Sequence, residues 1–257
     1  MKKLLLFLTV TSLVSTSCKS YLMNNFFERE GIYDETSKIE KLVGENEIII
    51  IPMHHIGTEN FYKNVRKKVD SLTNLKYKIF YEMILTNNMK SNDSSIQEIM
   101  DTTMILKFRK AFGLLGLSAK GATNYIEFFK EKGIKIKKNL VPQSNLTDLG
   151  LKNKLSENVD ATMDELIRAY ENKYGNIILE EYDLKTKLFD NYDRNKCKNK
   201  IDKQMFNEFI THYRNGVVIN KINQNKNAKI AIVYGKNHFV GIKDSLQKLG
   251  YKISLQQ

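Results

Sequence analysis

The run Glu47-Ile48-Ile49-Ile50-Ile51, closed by Pro52, limits the fold more than any other stretch of the chain. A strand with one wet face alternates apolar and polar residues. Four isoleucines in a row leave no polar face, and β-branched side chains disfavour a helix. The run therefore predicts a strand covered on both sides, as in a parallel sheet held between helices. Thr58 follows as an N-cap for a helix over 59–73, where Phe61, Val65, Val69 and Leu72 recur on one face. Tyr77-Lys78-Ile79-Phe80-Tyr81 reads as a second strand, ended by Glu82. Strand, helix, strand at this spacing is a βαβ unit with a right-handed crossover.

The other end of the chain repeats the pattern. Lys229 to Tyr234 reads as an apolar strand, Gly235 to His238 as a turn and 239–249 as a helix. Gly250 then precedes a last strand at 251–255. The middle reads as mainly helical, over about 95–111, 118–132, 160–173, 180–197 and 202–224, with a short strand at 134–138 after Gly133. Tyr125, Phe128 and Phe129 read as helix core, and a short helix is expected near Ser37–Leu42. The expected fold class is α/β: a central, mostly parallel sheet flanked by helices, with a helical middle segment, in one domain over 47–257.

Lys2 and Lys3, the apolar stretch Leu4 to Val14 and the small residues Ser15 to Ser17 form a signal peptide over 1–17, followed by Cys18. The apolar stretch is shorter than the roughly 20 residues a membrane span needs. A cysteine directly after a small-residue cleavage site resembles the lipobox of bacterial lipoproteins, which implies acylation of Cys18 as the first residue of the mature chain. Residues 18–46 then serve as tether and N-terminal segment, and the protein is exported and membrane-anchored, in the periplasm or on the cell surface. Only Cys18 and Cys197 occur, so acylation of Cys18 leaves no internal disulfide. The formal charge of +12 falls to +10 when Lys2 and Lys3 leave with the signal (12 − 2). The lysines are spread along the chain, and no helix-turn-helix, zinc finger or RNP-like strand is present. The charge therefore reads as a solvated surface with a membrane-surface contribution, not as a nucleic-acid site.

Chemistry concentrates in the histidines, of which there are four: His54, His55, His212 and His238. His54 and His55 follow the first strand, His238 follows the strand at 229–234, and Glu82 ends the strand between. Ligands of open α/β sheets bind at the carboxyl ends of strands, so these residues share one rim by topology. Two imidazoles and a carboxylate suit a borderline divalent ion such as Zn, Mn, Co or Fe with a position open for water. Such an ion lowers the pKa of that water to about 7. One histidine in a strand-to-helix turn more often only hydrogen-bonds its turn; its recurrence at two strand ends is what points to a site. His212 is a further possible ligand, lying just before Arg214 on a helix. No P-loop, G-x-S-x-G elbow or H-E-x-x-H is present, against NTPases, serine hydrolases and zincins.

These residues resemble the TraB/PrgY/GumN superfamily, which includes the Tiki proteases and has distant relatives among erythromycin esterase-like and ChaN-like proteins. The family carries two G-x-x-H turns after strands, a Glu ending the second strand and an Arg-Asn pair on a helix. Here Gly235-Lys236-Asn237-His238 matches the second turn, Phe80-Tyr81-Glu82-Met83 the glutamate, and Arg214-Asn215 the pair. The first turn, Pro52-Met53-His54-His55, has Pro in place of Gly, with His55 at the family position and His54 additional. The resemblance covers about 47–85 and 205–255. It implies a metal-dependent, peptidase-like hydrolase acting on a peptide or small polar substrate. His55, His238, Glu82 and His54 would be metal ligands, and Glu82, Arg214 and Asn215 catalytic. The alternative is a non-catalytic surface lipoprotein that uses the same rim to bind a peptide, a haem-like ligand or a metal.

Mass spectrometry of the membrane fraction is expected to show a mature chain that begins at acylated Cys18. A mature N-terminus elsewhere, or an unmodified Cys18, would contradict the signal-peptide reading.

Overall fold

The computed structural model describes residues 18–84, 94–113, 123–187, 190, 192–197 and 203–254. The signal peptide expected over 1–17 and the start of the helix expected at 118–132 lie outside the described residues. The fold is α/β, built on a mixed six-stranded sheet flanked by helices.

Four strands run parallel. β2 (Glu47–Met53) pairs with β7 (Lys229–Gly235), β7 with β4 (Lys78–Tyr81), and β4 with β6 (Ser156–Asn158). On the other side β1 (Glu40–Val43) pairs antiparallel with both β2 and β8 (Lys252–Ser254), completing the order β6-β4-β7-β2-β1-β8. A second, two-stranded sheet joins β3 (Ile56–Gly57) to β5 (Val141–Pro142).

β2 lies inside the sheet, and its isoleucines alternate between two buried layers. Ile48 and Ile50 face one core with Val218 and Ile222 of α8 (Arg214–Asn223) and Ile242 and Leu246 of α9 (Phe239–Lys248). Ile49 and Ile51 face another with Phe61, Val65 and Val69 of α2 (Glu59–Asn74). Thr58 caps α2, its hydroxyl accepting from the Phe61 N–H at 3.1 Å. A third core joins α3 (Ser94–Phe112) and α5 (Met163–Tyr174) to Phe209 and Ile210.

Several expectations need correction. Near Ser37–Leu42 there is no helix: Glu40–Val43 is strand β1, because the backbone finds partners on both sides and Leu42 reaches the core. The segment read as a tether is helical over 18–30 (α1), and it is fastened to the domain by buried Asn24. That side chain donates to the Lys135 carbonyl at 2.8 Å and accepts from the Lys137 N–H at 2.8 Å. The strand expected at 134–138 is absent because those backbone groups dock α1; the short strand β5 comes after it. Of the helix expected at 180–197, the described residues form α6 (Glu181–Lys185) and a 3-10 turn at Arg194–Lys196. Of the three aromatics read as helix core on α4 (Thr123–Glu131), Phe129 is buried, whereas Tyr125 and Phe128 are exposed.

Ile50→Ala removes a fully buried side chain from the central strand. It is expected to destabilise the fold by about 2–5 kcal/mol, read from the denaturant midpoint at unchanged m-value; a loss under 1 kcal/mol would contradict the two-sided burial.

Candidate functional site

Parallel strands present their carboxyl ends along one edge, and the polar residues gather there. Glu82 follows β4, Asp160 lies two residues after β6, and Gly235 ends β7. His238 closes the 3-10 turn after it, and His54 and His55 follow β2. Helix α8 brings Arg214 and Asn215 beneath this edge. It is preceded without a break by α7 (Lys203–Asn207) and a π-helical turn, Glu208–Tyr213. A π turn holds an extra residue per turn, often at functional positions, and here it hands over directly to Arg214.

Arg214 is 4% exposed and organises the cluster. Its Nε donates to Asp160 Oδ1 at 2.8 Å, and Nη2 donates to Asp160 Oδ2 at 2.6 Å and Glu82 Oε1 at 2.5 Å. Nη1 donates to the Ile210 carbonyl and to His238 Nε2, both at 3.2 Å. All five guanidinium N–H groups are thereby used. Burial works against the charge on Arg214, but the Asp160 hydrogen bonds and the surrounding carboxylates outweigh it and strengthen its hold on the proton. The catalytic role that the resemblance implies for Arg214 finds no spare donor in this arrangement. Arg214 instead positions Glu82, Asp160 and His238.

Asp160 is satisfied as fully. Besides Arg214, its Oδ1 accepts from the Tyr234 hydroxyl at 2.7 Å and the Ala161 N–H at 2.8 Å. Glu82 is 20% exposed in its side chain, and its Oε2 accepts from the Gly235 N–H at 2.5 Å. A Cβ on Gly235 would lie 2.9 Å from Oε2, which gives the glycine of Gly-x-x-His a physical reason: it lets the carboxylate reach the backbone.

His238 is fixed by Asn215. The Asn215 Nδ2 donates to the His238 carbonyl at 3.3 Å, which can only accept, so Oδ1 faces His238 Nδ1 at 2.7 Å. Nδ1 therefore carries the proton and Nε2 is a lone pair, pointing to Arg214 and 3.8 Å from Glu82 Oε1. Burial first, and the Arg214 charge second, lower the His238 pKa to about 3. Gly241 is required here too, since a Cβ would lie 2.5 Å from Asn215 Nδ2.

His55 is exposed at the same rim, near enough that a charge on it opposes protonation of His238. His54 is half-buried against the Phe61 ring, with centroids 5.4 Å apart; burial, then the Lys236 charge, lower its pKa to about 4. His212 points to solvent on the π turn, away from the cluster.

The structure thus brings together Glu82, Arg214, Asn215 and His238, with His55 alongside and His54 one position further out. Asp160 and Tyr234 were missed in the sequence. Asp160 is marked in the sequence only by its place two residues before Thr162, whose capping box with Glu165 starts α5. Among the described residues no three His, Cys, Asp or Glu side chains stand in a metal-ligating group. The donor types suit a cation, with His238 Nε2 unprotonated and the Glu82 carboxylate 3.8 Å away, but in this arrangement the Nε2 lone pair is taken by the Arg214 N–H. Neither a protein-family model, nor a curated protein, nor a solved structure matches the chain.

The lowered His238 and His54 pKa values set a pH dependence. Each imidazole protonates in the unfolded chain near its ordinary 6.5 but stays neutral in the fold down to about 3 and about 4. Their contribution is therefore full above pH 6.5 and declines as pH falls towards 4. Urea midpoints are expected to drop between pH 7 and 4.5, and His238→Gln to flatten that drop; an unchanged slope in the variant would contradict the assignment.

Proposed function

We propose that this chain is a lipid-anchored, metal-dependent hydrolase of the TraB/PrgY/GumN type, acting on a peptide or small polar substrate. The observation that carries the reading is the Asn215-locked, neutral His238 beside Glu82, at the carboxyl ends of parallel strands. A general base works best with a pKa near the operating pH, and His238 at about 3 is far too weak. A neutral imidazole with a fixed lone pair is instead the form that binds metal, and an amide oxygen on its second nitrogen is the usual way to hold it.

His238 Nε2, the His55 ring and the Glu82 carboxylate would hold the ion. When bound, it supplies a water acidic enough to attack at neutral pH. Holding it requires His55 and Glu82 to close on Nε2, with Arg214 giving up its contact to His238. Asn215 keeps the tautomer. Arg214 keeps Glu82 and Asp160 oriented, and Gly235 holds the far oxygen of Glu82. Pro52 stands where the family has Gly; it fixes φ and lacks an N–H, so the first turn offers a substrate no backbone donor at that position.

One observation favours the second reading, a surface lipoprotein that binds a peptide, haem-like ligand or metal without turnover: every N–H of Arg214 is already engaged.

The full chain, purified from membranes, is expected to retain divalent metal at stoichiometric level and to hydrolyse members of a peptide library. His55→Ala and His238→Ala should each abolish metal retention, and Glu82→Gln should weaken it. Retained metal without turnover would favour the binding reading. Absence of metal in the wild type, with His238→Ala costing about 1–3 kcal/mol of stability, would sink the metal site.

A further inference from the structure

As folded, the His238 lone pair is closed off. Nε2 accepts the Arg214 Nη1 N–H at 3.2 Å, and Glu82 Oε1 lies 3.8 Å from the same nitrogen. Most of the groups around this contact are held in place. The Asn215 amide fastens the His238 ring and carbonyl, and the Tyr234 ring packs edge-on against the imidazole, centroids 4.9 Å apart. Asp160 is fixed by the Tyr234 hydroxyl and the Ala161 N–H, and it grips Arg214 through Nε and Nη2 at 2.8 and 2.6 Å. Nη1 is the loosely held end of the guanidinium. Its two bonds, to Nε2 and to the Ile210 carbonyl, are both 3.2 Å, at the long end for such contacts. A pivot about Asp160 therefore uncovers Nε2 by giving up the two weakest bonds that Arg214 makes.

The Ile210 carbonyl is available to Nη1 because of the π turn. In an α-helix the carbonyl of residue 210 would accept the backbone N–H of residue 214. Here the Arg214 N–H goes to the Thr211 carbonyl instead, and the turn Glu208–Tyr213 carries its extra residue. The carbonyl left over takes the Arg214 side chain. The start of the turn is tied down through Glu208. Its carboxylate accepts from the Lys173 ammonium at 2.5 Å and the Tyr174 hydroxyl at 2.8 Å, both at the end of α5. Beside the turn lies an open cleft of about 540 Å³, lined by Gln204, Asn207, Glu208 and His212. A residue displaced from the turn has room there.

We infer that the Arg214–His238 contact is a self-blocking latch and that the π turn Glu208–Tyr213 is its release. In the π register the Ile210 carbonyl holds Nη1 against Nε2, and the site is closed. In the α register that carbonyl returns to the Arg214 backbone N–H. Nη1 then loses an acceptor, and the guanidinium pivots on Asp160 away from Nε2. The fully buried Val218 and Ile222 fix α8 beneath the sheet, so the extra residue is taken up towards α7. Asn215 thereby stays on His238 and keeps its tautomer. A ligand that takes Nε2 binds the open form alone and draws the turn into the α register. The inference rests on the metal-binding reading only for which group takes Nε2; the two registers and the latch stand without it.

The test uses the full chain with isotope-labelled histidine nitrogens, read by magnetic resonance at neutral pH and titrated with Zn²⁺ alone. Two variants favour the α register. Deletion of the exposed His212 removes the extra residue, and Glu208→Ala cuts the tie to α5. In the metal-free wild type, Nε2 of His238 is expected to resonate upfield of a free imidazole nitrogen, as an acceptor does. In both variants it is expected to move downfield while Nδ1 keeps its proton. Zn²⁺ affinity should rise by about tenfold, because the closed fraction no longer lowers the apparent affinity. Variants that fold as the wild type does but leave the Nε2 resonance unmoved overturn the latch. If the His212 deletion does not fold, Glu208→Ala decides alone. If Nε2 moves in the variants but neither they nor the wild type bind Zn²⁺, the latch stands and the metal-binding reading fails.

Discussion

The guanidinium of Arg214 ties the carboxyl edge of the sheet together. Through Glu82 it holds the end of β4, through Asp160 the end of β6, and through His238 the turn after β7, all from the first residue of α8. A buried charge is tolerated only when paired and hydrogen-bonded, and this one is matched by two carboxylates and two neutral acceptors. The arrangement also sets the electrostatics of the site. The positive charge beside Nε2 helps keep His238 neutral, and the two carboxylates leave negative charge at the rim.

Small residues set how closely the parts approach. Gly235 lets the Glu82 carboxylate reach a backbone N–H, and Gly241 lets the Asn215 amide come down on the His238 turn. Both glycines face a polar side-chain atom at a distance that a methyl group would invade. The amide of Asn215 then reads both the carbonyl and the ring of one residue, and this fixes the tautomer. The π turn before Arg214 completes the set, delivering Arg214 and Asn215 as consecutive buried residues, one toward the carboxylates and one toward the imidazole.

Much of this was legible because it is local. Four isoleucines in a row have no exposed solution, Thr58 sits one residue before an amphipathic helix, and Gly235-x-x-His238 follows an apolar strand. What escaped depends on partners distant in sequence. Asp160 becomes part of the site only because β6 joins the edge of the sheet beside β4, and Ser156-Glu157-Asn158 has no apolar signal to announce a strand. β1 is four residues long and owes its conformation to neighbours on both sides, so propensity near Ser37–Leu42 had nothing to oppose a helix. The segment over 180–197 is held by tertiary bonds rather than helix periodicity. Asp183 is buried there, with its carboxylate taken by Lys110, the Glu180 N–H and the Tyr192 hydroxyl.

The same long-range logic links helix α1 to the rim. Helix α1, described from Cys18 on, ends at residue 30, where the Glu30 carbonyl and carboxylate accept from the Lys236 ammonium at 2.8 and 3.1 Å. Lys236 belongs to the turn that carries His238. At the next residue, Gly31 adopts φ +75, and a Cβ there would lie 4.0 Å from His54 Nε2, so the helix ends against the first histidine turn. The thirteen described helical residues rise about 20 Å, which sets how far Cys18 stands from the rim along this helix. Because Asn24 and the Phe27–Phe129 contact fasten α1 to the domain, the distance is set by packing and not by the reach of a loose tether. The rim and the described start of the chain are thus one packed unit, and the position of Cys18 relative to the site is fixed by the fold.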